Sequence, residues 1–333
     1  MALLRAARTV WAISPVVLNR GRRQDVHVSY GAKPGATGAF CKIADNVKHQ
    51  QEADSMKWSI ISAVNNESVL KSCLLTSPDI QSATEVILQA GYSSAAAAYN
   101  SGIQKASTDL LVFVHQDVYL PEGWINVVQE ALELLSVQDP HWGVVGVYGI
   151  TASGRGAGYL YCTGLGCVVL KAFAGAIEVR SLDEVVLIFR KSSGLRFDDR
   201  LPGFHLYGTD ICLESRRRGM KCYAISAFCV HNTNGYSFLP FAFWKCYWLM
   251  RRKWKAELPV AATCSNITYW CWPMIWWNGV RAANLLLGRQ KRAGRVQDPS
   301  QLYRELCRDN PVRGAASDAG RYSPQCPLSD KQA

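Results

Sequence analysis

Three stretches of the sequence place titratable side chains where chemistry needs them. His115, Gln116 and Asp117 follow the apolar run LLVFV, Leu110–Val114. A carboxylate leaving a buried strand beside an imidazole offers a hard oxygen and a borderline nitrogen. Such a pair suits a divalent cation bridging a diphosphate, and imidazole favours the softer ions of the series over magnesium. The same residues also read as an aspartate capping the turn before Pro121 and a solvated strand-end histidine. In the second stretch, FHLYGTDICLESRRRG, Asp210 opens a helix. It is either a cap stabilised by the helix dipole or a general base at the floor of a cleft, taking a proton from a hydroxyl. Arg216, Arg217 and Arg218 form a solvated charge run or place one guanidinium near a phosphate. The third stretch, CVHNTNGY, ends a strand on His231. His231 is a structural histidine or joins Asp117 in a metal site.

Elements that would position these residues are legible from Lys57 onward. WSIISAV, TEVILQA and DLLVFV read as short buried strands. Between them, VLKSCLLTSP and SSAAAAYNSGIQKAS have helical spacing, and EGWINVVQEALELLS follows Pro121 as a third helix. Strands alternating with helices of this length predict a largely parallel sheet with helices on both faces. After Asp139 the pattern turns strand-rich. WGVVGVYGI, GYLYCTGLGCVVL and EVRSLDEVVLIFRKS precede the helix DICLESRRRG, closed by Gly219, and the strand KCYAISAFCV. In an open α/β sheet, ligands bind beyond the carboxyl ends of strands, which is where His115, Asp117 and His231 fall.

Charge is unevenly spread. Residues 1–55 carry eight basic against four acidic residues, and residues 281–333 carry ten against five, so most of the formal charge of +11 sits in the flanks. A nearly neutral middle argues against a nucleic-acid groove. The 12 cysteines include no CxxC pair and predict reduced thiols in a cytoplasmic protein. Residues 1–55, with five arginines before Asp25, compare in composition with an organellar transit peptide, whereas Met56 opens a natural first strand and makes them a dispensable extension. The uncharged stretch from Leu258 to Val280 is interrupted by Pro259 and Pro273. It reads as an aromatic-rich helical extension over 236–287 rather than a membrane span. Trp270, Trp272, Trp276 and Trp277 suit peripheral contact with a membrane surface. Residues 288–333 are expected to be a basic, flexible tail.

Taken together, AYNSGIQKASTDLLVFVHQDVYLPEGW, SLDEVVLIFRKSSGLRFDDRLPGFHLYGTDICLESRRRGMKCYAI and His231 resemble the family 2 glycosyltransferases of GT-A fold. More narrowly they resemble the streptomycin-biosynthesis-type branch, whose strand-end motif reads His-Gln-Asp-Val. The likeness runs from Lys57 to Cys264, with the core domain over 56–235. It implies a Rossmann-like α/β fold with a mixed sheet, a nucleotide-diphosphate sugar as donor, a glycan or small-molecule acceptor, and inverting transfer to a hydroxyl assisted by Mn2+ or Mg2+. On this likeness Asp117 and His231 are metal ligands, with His115 standing where the first aspartate of an Asp-x-Asp motif would be. Ser62, Ala63, Val64 and Asn65, with Asn100, His115 and Gln116, line the nucleotide-sugar. Asp210 is the base, and Asp183 and Glu184 are the next carboxylates for that role. Two departures stand out. Gln89 and Ala90 replace the acid that reads the nucleotide base, and the acidic pair before the helix is reduced to Gly208-Thr209-Asp210. These departures support an alternative, a catalytically impaired protein of the same fold that binds nucleotide or glycan.

Overall fold

The computed structural model describes residues 56–234, 239–287 and 294–309. Residues 1–55 and the chain beyond 309 lie outside the described residues. Strand β1 (Trp58–Val64) is an interior strand, buried for most of its length. It pairs in parallel with β2 (Glu85–Ala90) on one side and β3 (Leu110–Val114) on the other, so that Ile61 stands opposite both Ile87 and Phe113. Helix α1 (Glu67–Ser72) starts where Asn66 Oδ1 accepts from Val69 N–H, and helix α2 (Ala95–Lys105) where Ser94 Oγ accepts from Ala97 N–H. Gly102 lets α2 settle onto the sheet, because a Cβ there would lie 2.3 Å from Ile61 Cγ2.

Strand β4 (Val118–Tyr119) precedes helix α3 (Trp124–Gln138). Pro121 lies ahead of this helix rather than in its first turn. The open N–H groups at its start are met from a distance: Gly123 and Ile125 donate to the two oxygens of Asp79, at 3.0 and 2.8 Å. The strand-rich part follows as β5 (Val144–Gly146), β6 (Tyr148–Ile150), β7 (Gly156–Gly158), β8 (Leu160–Cys162), β9 (Cys167–Val169), β10 (Ala176–Val179), β11 (Ser181–Leu182) and β12 (Val186–Arg190). Helix α4 (Tyr207–Arg217) leads to β13 (Cys222–Ile225) and β14 (Cys229–His231). KCYAISAFCV is thus two strands rather than one.

The main sheet is mixed and seven-stranded, in the order β10-β13-β5-β12-β3-β1-β2, and β14 belongs to a second sheet, β4-β14-β8-β9. Side-chain alternation assigns the helices to the two faces of the main sheet. Ile61 and Phe113 point to one face, where Phe113 meets Tyr99 of α2 at 5.1 Å between rings and Tyr99 meets Tyr207 of α4 at 5.5 Å. Trp58 points to the other, where it meets Trp124 of α3 at 6.4 Å. The chain builds helices on both faces of a mixed sheet, as the resemblance implied; the largely parallel sheet expected from the alternation is corrected, because β12 and β10 run antiparallel to their neighbours.

Helix α5 (Phe241–Lys253) buries Phe243, Cys246, Tyr247 and Met250 in the same core. The uncharged stretch ends in helix α6 (Trp272–Leu286), and among the described residues no helix is long and apolar enough to cross a membrane. One expectation is corrected. The flexible tail predicted from 288 contains helix α7 (Pro299–Asp309), whose Leu302, Tyr303 and Leu306 pack on Tyr119, Phe228 and Val230. Polar composition concealed it, because Leu302, Tyr303 and Leu306 fall on one face of a mostly polar helix.

Candidate active site

Strand pairing brings His231 to Asp117. Strands β14 and β4 are antiparallel with His231 opposite Val118, and Asn232 N–H donates to Asp117 O at 2.8 Å. A residue 114 positions later in the chain thereby becomes a neighbour of the HQD motif. Asp117 Oδ1 lies 3.6 Å from His231 Nε2 and 3.9 Å from His115 Nδ1. One donor atom from each of the three lies within 4.8 Å of the others. Two imidazole nitrogens and one carboxylate fit a divalent ion of the manganese or zinc type better than the all-oxygen shell magnesium prefers. The other ring nitrogen of His115, Nε2, is 2.6 Å from Tyr207 Oη, a bond that fixes the ring and leaves Nδ1 facing Asp117. Tyr207 reaches this position because Leu206 ahead of it takes a left-handed conformation, φ 62°, unusual for a branched side chain.

Electrostatics follow from this crowding. Burial pushes the Asp117 carboxyl upward, but the hydrogen bond and charge of His231, with His115 and Arg295, outweigh it and hold the group below the usual carboxylate range. Burial lowers His231, and the hydrogen bond and charge of Asp117 overcome this and push it up to about 10. His115 is lowered, first by burial, then with the repulsion of His231 set against the attraction of Asp117.

Asp183 and Glu184 join β11 to β12. Tyr207 Oη donates to Glu184 O at 3.4 Å, so the tyrosine that holds His115 also touches this acidic pair. Gly208 N–H donates to Glu184 Oε1 at 3.3 Å. The absence of a side chain at Gly208 has a steric reason: a Cβ would lie 2.7 Å from Leu182 O and 3.2 Å from Glu184 Cγ. Burial, then the charge of Asp183, raises Glu184 to about 8, so it is a neutral acid at neutral pH. Asp183 is less buried and accepts from Val185 N–H at 3.2 Å.

The remaining expected residues fall in varied places. Gln116 Oε1 accepts from Asn65 and Asn66 N–H, both at 3.0 Å, and its amide donates to Asn65 Oδ1. Those bonds tie the ends of β1 and β3 together, with Ala63 and Val64 half-buried and Asn65 exposed there. Ser62 does not line this surface, because it is fully buried within β1. Asn100 is also committed elsewhere: its amide donates to Phe197 O and Asp199 Oδ1, each at 2.8 Å, and accepts from Phe197 N–H at 3.0 Å. The base role expected for Asp210 does not fit its surroundings. It is 2% exposed and accepts from Lys253 Nζ at 2.7 and 2.8 Å and from Trp254 Nε1 at 2.6 Å, fastening α4 to the end of α5. Two residues of the site escape sequence reasoning. Tyr207 lies inside a quoted motif with nothing in its spacing to distinguish it, and Arg295 lies in the stretch read as tail.

A mixed α/β sheet with an Asp-His cluster at its strand ends defines a class of fold and site. The chain belongs to the glycosyltransferase-like family, whose model matches residues 59–239. It is 30% identical to the "ATP synthase subunits region ORF 6" protein of Fuscovulum blasticum over 34% of this chain and 48% of that one. The chain therefore spans about half the length of the curated relative it matches. Among solved structures it is similar to S. aureus TarS, at 13% identity and a TM-score of 0.38, covering 60% of this chain and 39% of that one. It is also similar to a mannosyltransferase of Pyrobaculum calidifontis, in complex with GDP-Man and Mn2+, at 12% identity and a TM-score of 0.35, covering 65% and 70%.

Proposed function

We propose that the protein is an inverting glycosyltransferase of the streptomycin-biosynthesis-type branch, moving a sugar from a nucleoside diphosphate to a hydroxyl acceptor. The observation that carries this reading is the meeting of His115 and Asp117, just past the end of β3, with His231, the last residue of β14, in a chain of this family. Those three residues would hold a divalent cation, which when bound supplies positive charge to the departing diphosphate. Tyr207 keeps His115 in the orientation that ligation needs. Asn65 and Gln116 form the wall on which the nucleotide rests. Asp183 takes the proton of the acceptor hydroxyl, because it is the more open member of the acidic pair and Asp210 is engaged by Lys253 and Trp254. Glu184, neutral beside it, adds no negative charge of its own. The exposed tryptophans of α6 rest on a membrane surface.

The test is transfer and donor hydrolysis over a panel of UDP-, GDP- and dTDP-sugars with manganese or magnesium. Asp117→Asn should abolish turnover and Asp183→Asn should lower it about a hundredfold or more. Nucleotide binding without sugar release across the panel would instead support the non-catalytic binding protein.

A further inference from the structure

Residues beyond Gly294 reach the candidate site from outside the family-matched region. Asn232, fully buried and next to His231, binds Val296 through both ends of its amide. Val296 N–H donates to Asn232 Oδ1 at 2.8 Å, and Asn232 Nδ2 donates to Val296 O at 2.9 Å. Arg295 N–H donates to Asn234 Oδ1 at 3.1 Å, and Arg295 Nε to Asn232 O at 2.8 Å. A few residues on, α7 is clamped onto the second sheet, with Tyr303 5.9 Å from Phe228 and 6.2 Å from Tyr119 between ring centres. The segment is thus held at Arg295 and on its C-terminal side, so its guanidinium is placed rather than free to wander.

That placement divides the Asp117 carboxylate. Oδ1 faces the two histidines, whereas Oδ2 lies 3.3 Å from Arg295 Nη2. The arginine side chain is 28% exposed, and its Nη1 group has no hydrogen-bond partner among the described residues. A guanidinium is always charged, and its forked donors match pairs of phosphate oxygens. Beside a carboxylate that would otherwise repel an anionic ligand, a fixed cation with unused donors is a phosphate contact.

We propose that Arg295 is a diphosphate-binding residue of the donor site, one edge of its guanidinium holding Asp117 Oδ2 and the other gripping phosphate oxygens of the nucleoside diphosphate. This rests on the glycosyltransferase reading above and adds to it a ligand from the far end of the chain.

The experiment is calorimetry on the full chain with UDP, GDP and inorganic pyrophosphate, each with manganese and with a chelator. Wild type, Arg295→Ala and Arg295→Lys are compared, with circular dichroism and melting temperature as folding controls. Loss of a charge-assisted pair of hydrogen bonds should weaken pyrophosphate and the preferred nucleotide about tenfold or more in Arg295→Ala, with partial recovery in Arg295→Lys. Unchanged affinity in folded Arg295→Ala overturns the proposal, and so does tighter binding, which would make the arginine a cover over the site. If Arg295→Ala does not fold, Arg295→Lys decides: a several-fold loss supports the forked contact, and wild-type affinity overturns it. Pyrophosphate binding that depends on Arg295, without any nucleotide binding, would keep this residue's role and remove the glycosyltransferase reading. Wild type that binds neither removes both.

Discussion

His231 Nε2 and Asp117 Oδ1 stand 3.6 Å apart, joined by strand pairing rather than by sequence proximity. The stability this pair contributes is tied to pH. His231 is raised to about 10, so its share is fully present below the unfolded value of about 6.5 and is lost as pH rises through about 10. Asp117 is depressed, so its share is present above about pH 4 and is lost as pH falls through the folded value. Melting temperatures of wild type and His231→Asn, measured without added metal, should differ most between about pH 4 and 6.5, on the order of 5 °C, and converge toward pH 10. A gap that widens with rising pH would contradict the pairing.

Glu184 makes the opposite contribution. Burial raises its carboxyl to about 8, so between about pH 4.3 and 8 the folded chain holds a proton that the unfolded chain has released. Stability therefore falls across that window as pH rises. Glu184→Gln keeps the shape and neutrality of the buried acid. Its melting temperature should match wild type near pH 4.5 and exceed it increasingly up to pH 8, which a pH series by scanning calorimetry would show.

Turnover separates the carboxylates. Asp183→Asn should cost about a hundredfold or more in kcat, the usual worth of a general base. Glu184→Gln should stay within about threefold of wild type at pH 7, since the native group is already neutral there.

Asp210→Asn should act on stability instead. Removing one of the two carboxylates that hold half-buried Lys253 should destabilise by about 2 kcal/mol in denaturant titrations while folded enzyme retains its kcat. Lost turnover with unchanged stability would return the base role to Asp210.

Membrane contact has its own signature. On α5, Phe241, Lys245, Trp248 and Arg252 are exposed at helical spacing, and on α6 Trp272 and Trp276 are each 72% exposed. Aromatic rings beside cations suit an anionic lipid surface. Wild type should partition onto vesicles containing phosphatidylserine, and Trp272→Ser with Trp276→Ser should lower that partition about tenfold in a flotation assay.

The sheet was legible because β1, β2 and β3 are short apolar runs with distinct polar ends. The metal-type cluster was legible because strand ends are where such sheets bind ligands. Asp210 was misleading for a physical reason: a carboxylate in the first turn of a helix has the same local sequence whether it faces a cleft or, as here, a lysine and an indole from the next helix. Ser62 and Asn100 failed similarly, since proximity to a strand end does not say which way a side chain turns. Arg295 carried no signal at all, because its partner lies 178 residues earlier.

The docking of Val296 against Asn232 bears on where this protein can be cut. A chain ended at residue 239 would contain the whole region recognisable as a glycosyltransferase and still lack a side chain that touches Asp117. Relatives alike over that region and divergent after it need not share donor affinity, because the stretch that diverges reaches the floor of the site.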